Sequence, residues 1–344
     1  MGEKLKHTVS VIIPCRNEEK YISECIESFI KQTYPQSLFE VLVCDGMSKD
    51  NTRKIVKEYE DKYKNIKLVD NKGLTAPKGM NEGIKKSNFD VIIIFGAHAF
   101  AEENFILNNV KKLYESEEIG CTGGPLDTIN ENDKGKAIAL SMSSPFGVGN
   151  ALFRYAKEET YVDTVAFGAY RREVLNEVGY FDEELVRNQD DELNFRVTEK
   201  GYKILLSPEI KGSYYSRSSF KKLWKQYYQY GFWKVRVMQK HGKTASLRHI
   251  VPLLFVVSNI LGIVLGVFFK PILYLWIMEI ILYITLDLIF SIKVTKDDKK
   301  LMRYVPIIFP ILHLSYGIGF LQGLINFYII KSSKQIESNT KTSR

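Results

Sequence analysis

The chain has 344 residues, enough for one large domain and something besides. Its 48 Lys and Arg against 40 Asp and Glu leave a formal net charge of +8, which favours an anionic partner: a phosphate-bearing ligand, a nucleic acid or a membrane surface. The four cysteines, Cys15, Cys25, Cys44 and Cys121, form no CxxC pair, which excludes a disulfide framework and a cysteine-based zinc site and suits a reducing compartment.

The opening MGEKLKHT is polar and does not read as a secretory leader. VSVIIP, from Val9 to Pro14, predicts a buried strand. Ile22, Ile26, Phe29 and Ile30 then recur at helical spacing. FEVLVCD predicts a second strand and NTRKIVKEYEDKY a second helix. IKLVD, the short helix MNEGIKKS and DVIIIF complete an alternation that implies an α/β fold with a parallel sheet flanked by helices. Open sheets of this kind bind ligands at the carboxyl ends of their strands. That places Pro14 to Glu18, Asp45 to Asp50 and Gly96 to His98 on one rim. No glycine-rich dinucleotide fingerprint and no P-loop occurs.

Within CDGMSKDNT, Ser48 and Asp50 suit a strand-to-helix turn and its cap. Asp45 stands at the strand tip, where a carboxylate can accept hydrogen bonds from a uracil N–H or ribose hydroxyls. Further on, Gln189, Asp190, Asp191 and Glu192 open a helix whose apolar face carries Leu193 and Val197. Acidic residues complement a helix N-terminus. A carboxylate held there above a sheet can also serve as a general base. Arg171, Arg172, Arg196 and Lys78 could pair with phosphate but read as ordinary cations on solvated helix faces.

Ser218 to Gly242 interleaves aromatic residues with lysines and arginine. Such a pattern suits single-stranded nucleic acid or a helix in the membrane interface. Its position before an apolar third of the chain favours the interface and excludes nucleic acid. Ile250 to Phe269 and Ile272 to Ile292 each run for about 20 mostly apolar residues, a bilayer's worth of helix. A third stretch runs from Tyr304 to Ile330. Lysine and arginine before the first span, and from Lys293 to Arg303 after the second, predict that both flanks are cytoplasmic. A third crossing would export a tail that carries Lys331, Lys334, Lys341 and Arg344. Pro306, Pro310, Gly317, Gly319 and Gly323 also allow that stretch to be broken, re-entrant or interfacial. The expected organisation is a cytoplasmic domain over 1–217, an interfacial helix over 218–246, a membrane region with two or three spans over 247–331, and a polar tail.

VSVIIPCRNEEKYI, CDGMSKDNT, MNEGI and an acidic motif ahead of LNFR and GYKI resemble, in this order, the family 2 glycosyltransferases. FGVGNALFR, VDTVAFGAYRREVL, NQDDELNFR and QYYQYGFWK, followed by apolar spans, look like the membrane-anchored branch of the succinoglycan exopolysaccharide type. The resemblance covers roughly Thr8 to Gly242, a usual span for one large domain. It implies a GT-A fold, a nucleotide-sugar donor, a divalent metal (Mn2+ or Mg2+) and inversion at the anomeric carbon. Carried over residue by residue, Asp45 would contact the uridine, and Pro14 and Glu18 would line the donor pocket. Asp190 would be the catalytic base, with Asp191 competing because the preceding family Glu is Gln189 here. The family's Asp-x-Asp metal motif falls at Gly96 and His98, so His98 would be its one remaining ligand. QYYQYGFW only partly matches the Gln-x-x-Arg-Trp motif of processive members.

The expected function is transfer of a hexose, glucose favoured, from a UDP-sugar to a polyprenyl-diphosphate-linked saccharide in cell-surface glycan synthesis. The expected location is a multi-pass place in the cell membrane, in contact with membrane lipid. Two alternatives stand beside it: an enzyme acting on a simple lipid or polyprenyl phosphate, and an inactive nucleotide-binding membrane subunit, motivated by Gly96.

Overall fold

A computed structural model describes residues 6–130, 132–215, 218–242 and 247–340. Lys243, Lys341 and Arg344 of the charge reading, and the domain limits at 217 and 246, lie outside the described residues. In chain order the first elements are β1 (Val9–Cys15), α1 (Ile22–Ile30), β2 (Phe39–Asp45), α2 (Thr52–Lys62), β3 (Ile66–Asp70), α3 (Ala76–Lys86), β4 (Val91–Ile94), β5 (Ala99–Ala101), α4 (Phe105–Leu113), β6 (Ile119–Gly124) and β7 (Leu126–Ile129). Next come α5 (Asp133–Met142), α6 (Pro145–Val148), β8 (Thr160–Tyr161), β9 (Ala166–Arg171), α7 (Arg172–Val178), α8 (Gln189–Glu199), β10 (Lys203–Leu206) and β11 (Gly212–Tyr215). The chain finishes with α9 (Phe220–His241), α10 (Val251–Gly266), α11 (Lys270–Val294), α12 (Val305–Leu324) and α13 (Ser333–Thr340). The alternating strands and helices of the first hundred residues fall where the apolar pattern puts them. α3 begins before MNEGIKKS because Pro77, with its fixed φ and missing N–H, suits a first helical turn.

The main sheet has the order β3-β2-β1-β4-β9-β6-β10-β8. β1 pairs in parallel with β2 and β4, β2 with β3, and β10 with β6. β9 runs antiparallel to both β4 and β6, and β8 antiparallel to β10. The sheet is therefore mixed: four of these seven pairings are parallel, as expected, and β9 and β8 run against the rest. The reversal at β9 has no signature in the pattern of AFGAYR, because a strand buried on both faces looks the same in either direction. A smaller sheet joins β5, β11 and β7.

Both faces of the main sheet are covered, which explains the unbroken apolar runs. Val9, Val11 and Ile13 face one core with Ile22, Ile26 and Phe29 of α1 and Ile106 of α4. Ile12 faces the other with Ile84 of α3, Val174 of α7 and Leu193 and Val197 of α8. All four cysteines are free and buried in these layers, and burial pushes the Cys44 thiol up to about 12.

The chain divides into two compact units. One comprises residues 1–128 and 152–215, the other residues 129–151 and 216–344. The segment 129–151, which holds α5 and α6, thus groups with the C-terminal helices. Within that second unit, Lys270–Val294 and Val305–Ile330 are long and apolar enough to cross a membrane, by length and composition. α10 has 16 residues, about 24 Å of helix, against a hydrocarbon core of about 30 Å.

Candidate active site

β1, β2 and β3 run in register, with Cys15 opposite Asp45 and Asp45 opposite Asp70. The chain proceeds outward from β1 to β2 to β3, then returns to β4 on β1's other side. That return is a topological switch point, and it opens a crevice at the carboxyl ends of β1 and β4. Pro14, Glu18, Asp45 and His98 all lie on this rim.

Asp45 is fully buried. The Ser48 hydroxyl donates to its Oδ1, while the Ser48 amide, at 3.0 Å, and Arg53 Nη1, at 2.8 Å, donate to Oδ2. Arg53 Nη2 also donates to Asp70 Oδ1 at 2.7 Å, so one guanidinium clamps the tips of two strands. Its hydrogen bond and charge hold the Asp70 carboxyl below the usual range. The turn after β2 is tied to the turn after β1: Asn17 N donates to Ser48 Oγ at 2.8 Å, and Glu18 N to Thr52 Oγ1 at 2.8 Å. Asn17 adopts a φ of 56°, the left-handed region that Asn tolerates better than most residues. Replacing Arg53 by Met leaves the buried Asp45 carboxylate without its cation. The expected loss is about 1–3 kcal/mol of unfolding free energy, read by denaturant titration.

Beyond β4, Gly96 and Ala97 turn the chain and His98 rises beside Glu18. His98 Nδ1 lies 3.9 Å from Glu18 Oε1, with the two side chains 26 % and 11 % exposed. The edge of the His98 ring meets Tyr214, with ring centres 6.2 Å apart, and the Tyr214 hydroxyl accepts from Arg154 Nη1 at 3.0 Å. A Cβ on Gly96 would lie 3.2 Å from Phe167 Cε1 and 3.6 Å from His98 Cε1. A side chain at 96 would therefore need the ring of Phe167, a residue with a φ of 52°, to give by a few tenths of an ångström. No three His, Cys, Asp or Glu side chains converge as metal ligands among the described residues. His98 Nδ1 and Glu18 Oε1 are donors of the right kind for a divalent ion, but at 3.9 Å they would have to draw together to the roughly 3.0–3.4 Å that octahedral or tetrahedral ligands span.

α8 starts on the same rim, as topology requires. β10 is parallel to β6, and β6 shares the direction of β4 because β9 opposes both. β10 therefore begins at the far edge of the sheet, and α8 carries the chain there from the carboxyl-end rim. Asn188 precedes the helix in the left-handed conformation, with φ 59°. Asn194, fully buried, accepts from the Tyr170 hydroxyl at 2.8 Å and donates to Thr164 Oγ1 at 2.9 Å. These bonds fix the rotation of α8. Asp190, one turn earlier, shares that face. Asp190 is exposed and its Oδ1 accepts from the Asp191 amide at 3.0 Å; Asp191 is half-buried. Burial, followed by the charges of Cys121 and Asp190, raises the Tyr170 pKa well above its usual value.

The rest of the acidic cluster has other work. Glu192 is buried and takes Arg196 Nε and Nη2 at 2.8 Å each, while Arg196 Nη2 reaches the Tyr180 carbonyl at 2.7 Å. Arg171 Nη2 donates to the carbonyls of Leu113 and Ser116, and Arg172 Nη2 to Ser87 Oγ. The three arginines tie backbone segments together, where the sequence reading has them on solvated helix faces. Gln189 Oε1 is buried and accepts no hydrogen bond. Sequence reasoning missed Arg53, Arg154 and Asn194. Only Arg53 left a signal, a cation in the first turn of the helix that follows an acidic strand tip.

Comparison with known proteins gives the same outline. The family described as "Glycosyl transferase family 2" matches residues 10–179. The chain is 34% identical over 325 residues to the dolichyl N-acetyl-alpha-D-glucosaminyl phosphate 3-beta-D-2,3-diacetamido-2,3-dideoxy-beta-D-glucuronosyltransferase of Methanococcus voltae, covering 92% of this chain and 97% of the relative. It is 26% identical over 260 residues to the succinoglycan biosynthesis protein ExoA of Rhizobium meliloti (strain 1021), covering 73% of this chain and 77% of that protein. Among solved structures, the mannosyltransferase PcManGT from Pyrobaculum calidifontis, in complex with GDP-Man and Mn2+, matches with a TM-score of 0.60 and 16% identity over 92% of this chain and 87% of that one. At that identity the likeness shows the fold alone, a GT-A mixed sheet with flanking helices.

Proposed function

Since the chain belongs to glycosyl transferase family 2, we propose that it moves a sugar from a nucleotide-sugar donor to a sugar already carried on a polyprenyl phosphate of the dolichyl type. The near full-length likeness to the Methanococcus voltae enzyme carries this reading, because it extends through the C-terminal apolar helices. It favours a monophosphate carrier over the polyprenyl diphosphate expected from sequence. Neither relative's name supports glucose, the donor sugar expected from sequence; the longer likeness favours an acidic, uronosyl donor. Membrane association is supported by the apolar helices and by a lipid-linked substrate.

In this reading Asp190 removes the proton of the acceptor hydroxyl, which is a poor nucleophile until a positioned carboxylate takes it. Attack opposite the departing diphosphate, in a single displacement, inverts the anomeric carbon. The base of the donor lies against Pro14, and reaching Asp45 Oδ1 means displacing the Ser48 hydroxyl. His98 and Glu18 would hold a divalent ion, with the diphosphate and water completing its shell. Such an ion supplies neutralisation of charge on the leaving diphosphate. Arg154 adds a cation on the same rim. His98→Ala should weaken Mn2+ dependence of transfer, read as a rise in the half-saturating Mn2+ concentration with donor saturating. An unchanged Mn2+ titration would make Gly96 to His98 a turn and nothing more.

The test of the function uses membranes containing the full chain. They are given radiolabelled UDP-glucose, UDP-N-acetylglucosamine or UDP-glucuronate, with dolichyl N-acetylglucosaminyl phosphate or the corresponding diphosphate. A chloroform-extractable disaccharide lipid from the monophosphate is the expected product. Single-sugar lipids formed on dolichyl phosphate itself would favour the simple-lipid alternative. Failure of every donor, with wild type and Asp190→Asn equally silent, would favour the inactive-subunit alternative.

A further inference from the structure

The second unit holds two helices that could each cross a bilayer, and they differ sharply in surroundings. In α11 only 6% of the most apolar stretch is buried within the protein, whereas in the stretch that begins with α12 the share is 44%. α12 packs on α9, and it also meets the α10–α11 pair away from the 267–269 turn, where a Cβ on Gly317 would lie 2.2 Å from the Pro252 carbonyl oxygen and the Tyr283 hydroxyl and His313 Nδ1 are 2.8 Å apart. α9 and α12 run in parallel, with Phe220 beside Tyr304 near one end and Phe232 5.0 Å from Phe327 near the other. Between these points the backbones nearly touch. A Cβ on Gly319 would lie 2.0 Å from the Tyr228 carbonyl oxygen, and one on Gly231 would lie 2.1 Å from that of Tyr316.

The face of α12 that meets α9 therefore shares the surroundings of α9. α9 cannot lie across hydrocarbon, because Lys225 and Lys234 are nine residues apart, about 13.5 Å along a helix, in a core of about 30 Å. Each charge held at mid-membrane costs about 2.5–3.5 kcal/mol on insertion scales. The other end of α12 is equally polar in its company: Arg303 Nη2 lies 3.1 Å from Asp133 Oδ2 beside α5, and Lys134 sits over the Phe220 ring. By contrast α10 and α11 form a hairpin whose turn, Val267 to Phe269, is 58–78% exposed.

We propose that only the α10–α11 hairpin enters the lipid hydrocarbon, that α12 stays outside it against α9, and that the tail from Ser333 onward lies on the same membrane face as the Lys296 to Arg303 loop. This removes the exported positive tail that three crossings would demand. The proposal rests on the membrane reading above and is independent of which sugar is transferred.

Single cysteines test it in the full chain, because the four native ones are buried. Lys296→Cys, Ser333→Cys and Phe268→Cys are each labelled with a membrane-impermeant maleimide in right-side-out and in inverted vesicles, with wild type as background. Expected is labelling of positions 296 and 333 from one and the same face, lost from the other, and no labelling of 268 from that face. Labelling of 333 and 296 from opposite faces would overturn the proposal by making α12 a span. Labelling of 268 from the same face as 296 would overturn it by showing that the hairpin does not insert. Neither result depends on transferase activity.

Discussion

Asp190→Asn is expected to lower transfer by about 10²–10⁴-fold while donor binding stays near wild type. The expectation comes from the placement of α8. Its rotation is fixed one turn below by Asn194, bonded to Tyr170 and Thr164, and its first turn opens on the rim that carries His98 and Asp45. Asparagine keeps the shape and the cap on the Asp191 amide, so helix stability should change little; what is lost is the capacity to take a proton. Asp191 is half-buried where Asp190 is exposed, so Asp191→Asn should cost less. Product formation from labelled donor, with donor affinity by calorimetry, separates the two. If Asp191→Asn proved the more damaging, the base would be reassigned to it. If neither mattered, the active-site reading of α8 would fall.

The second large effect concerns stability. Gly319→Leu places a branched side chain where a Cβ alone meets the Tyr228 carbonyl at 2.0 Å. A backbone cannot swing aside as a side chain can, so α9 and α12 must separate. Overpacking in a well-filled core typically costs about 1–3 kcal/mol, and a backbone obstacle puts this site at or above the top of that range. The lowered unfolding temperature should appear in detergent-solubilised protein. Gly231→Ala, across the same contact, should act in the same direction. The double variant should fall short of additivity, because both changes open one interface. A wild-type melting profile for Gly319→Leu would mean that the helices are not in backbone contact.

Much of this was legible in the sequence, for identifiable reasons. The strands of the first half are buried on both faces and announce themselves as apolar runs. Their helices follow at a 3.6 spacing, and order alone then places Pro14, Glu18, Asp45 and His98 on one rim. The acidic opening of α8 was visible, though not which carboxylates are structural; that depends on Arg196, which reaches back to the carbonyls of residues 178–180 as well as to Glu192. Long-range partnerships were the illegible part. The Arg53 clamp on two strand tips, the antiparallel β9 and the grouping of residues 129–151 with the C-terminal helices all join positions that no local period connects. The third apolar stretch shows the same limit. Hydropathy records that Val305 to Ile330 avoids water, but whether lipid or protein does the sheltering depends on α9, some seventy residues earlier.

In the crevice two positions are tied to one another. Residues 96 and 167 compete for the same few tenths of an ångström: a side chain at 96 needs the ring of Phe167 to withdraw. Phe167 already holds an uncommon backbone conformation, so it has little room to give. Installing the missing acid by Gly96→Asp alone should therefore disturb the crevice before it improves ion capture, and only a paired change that also shrinks residue 167 has a clear route. Changes at residues 96 and 167 should therefore act on stability as one site and not as two independent ones.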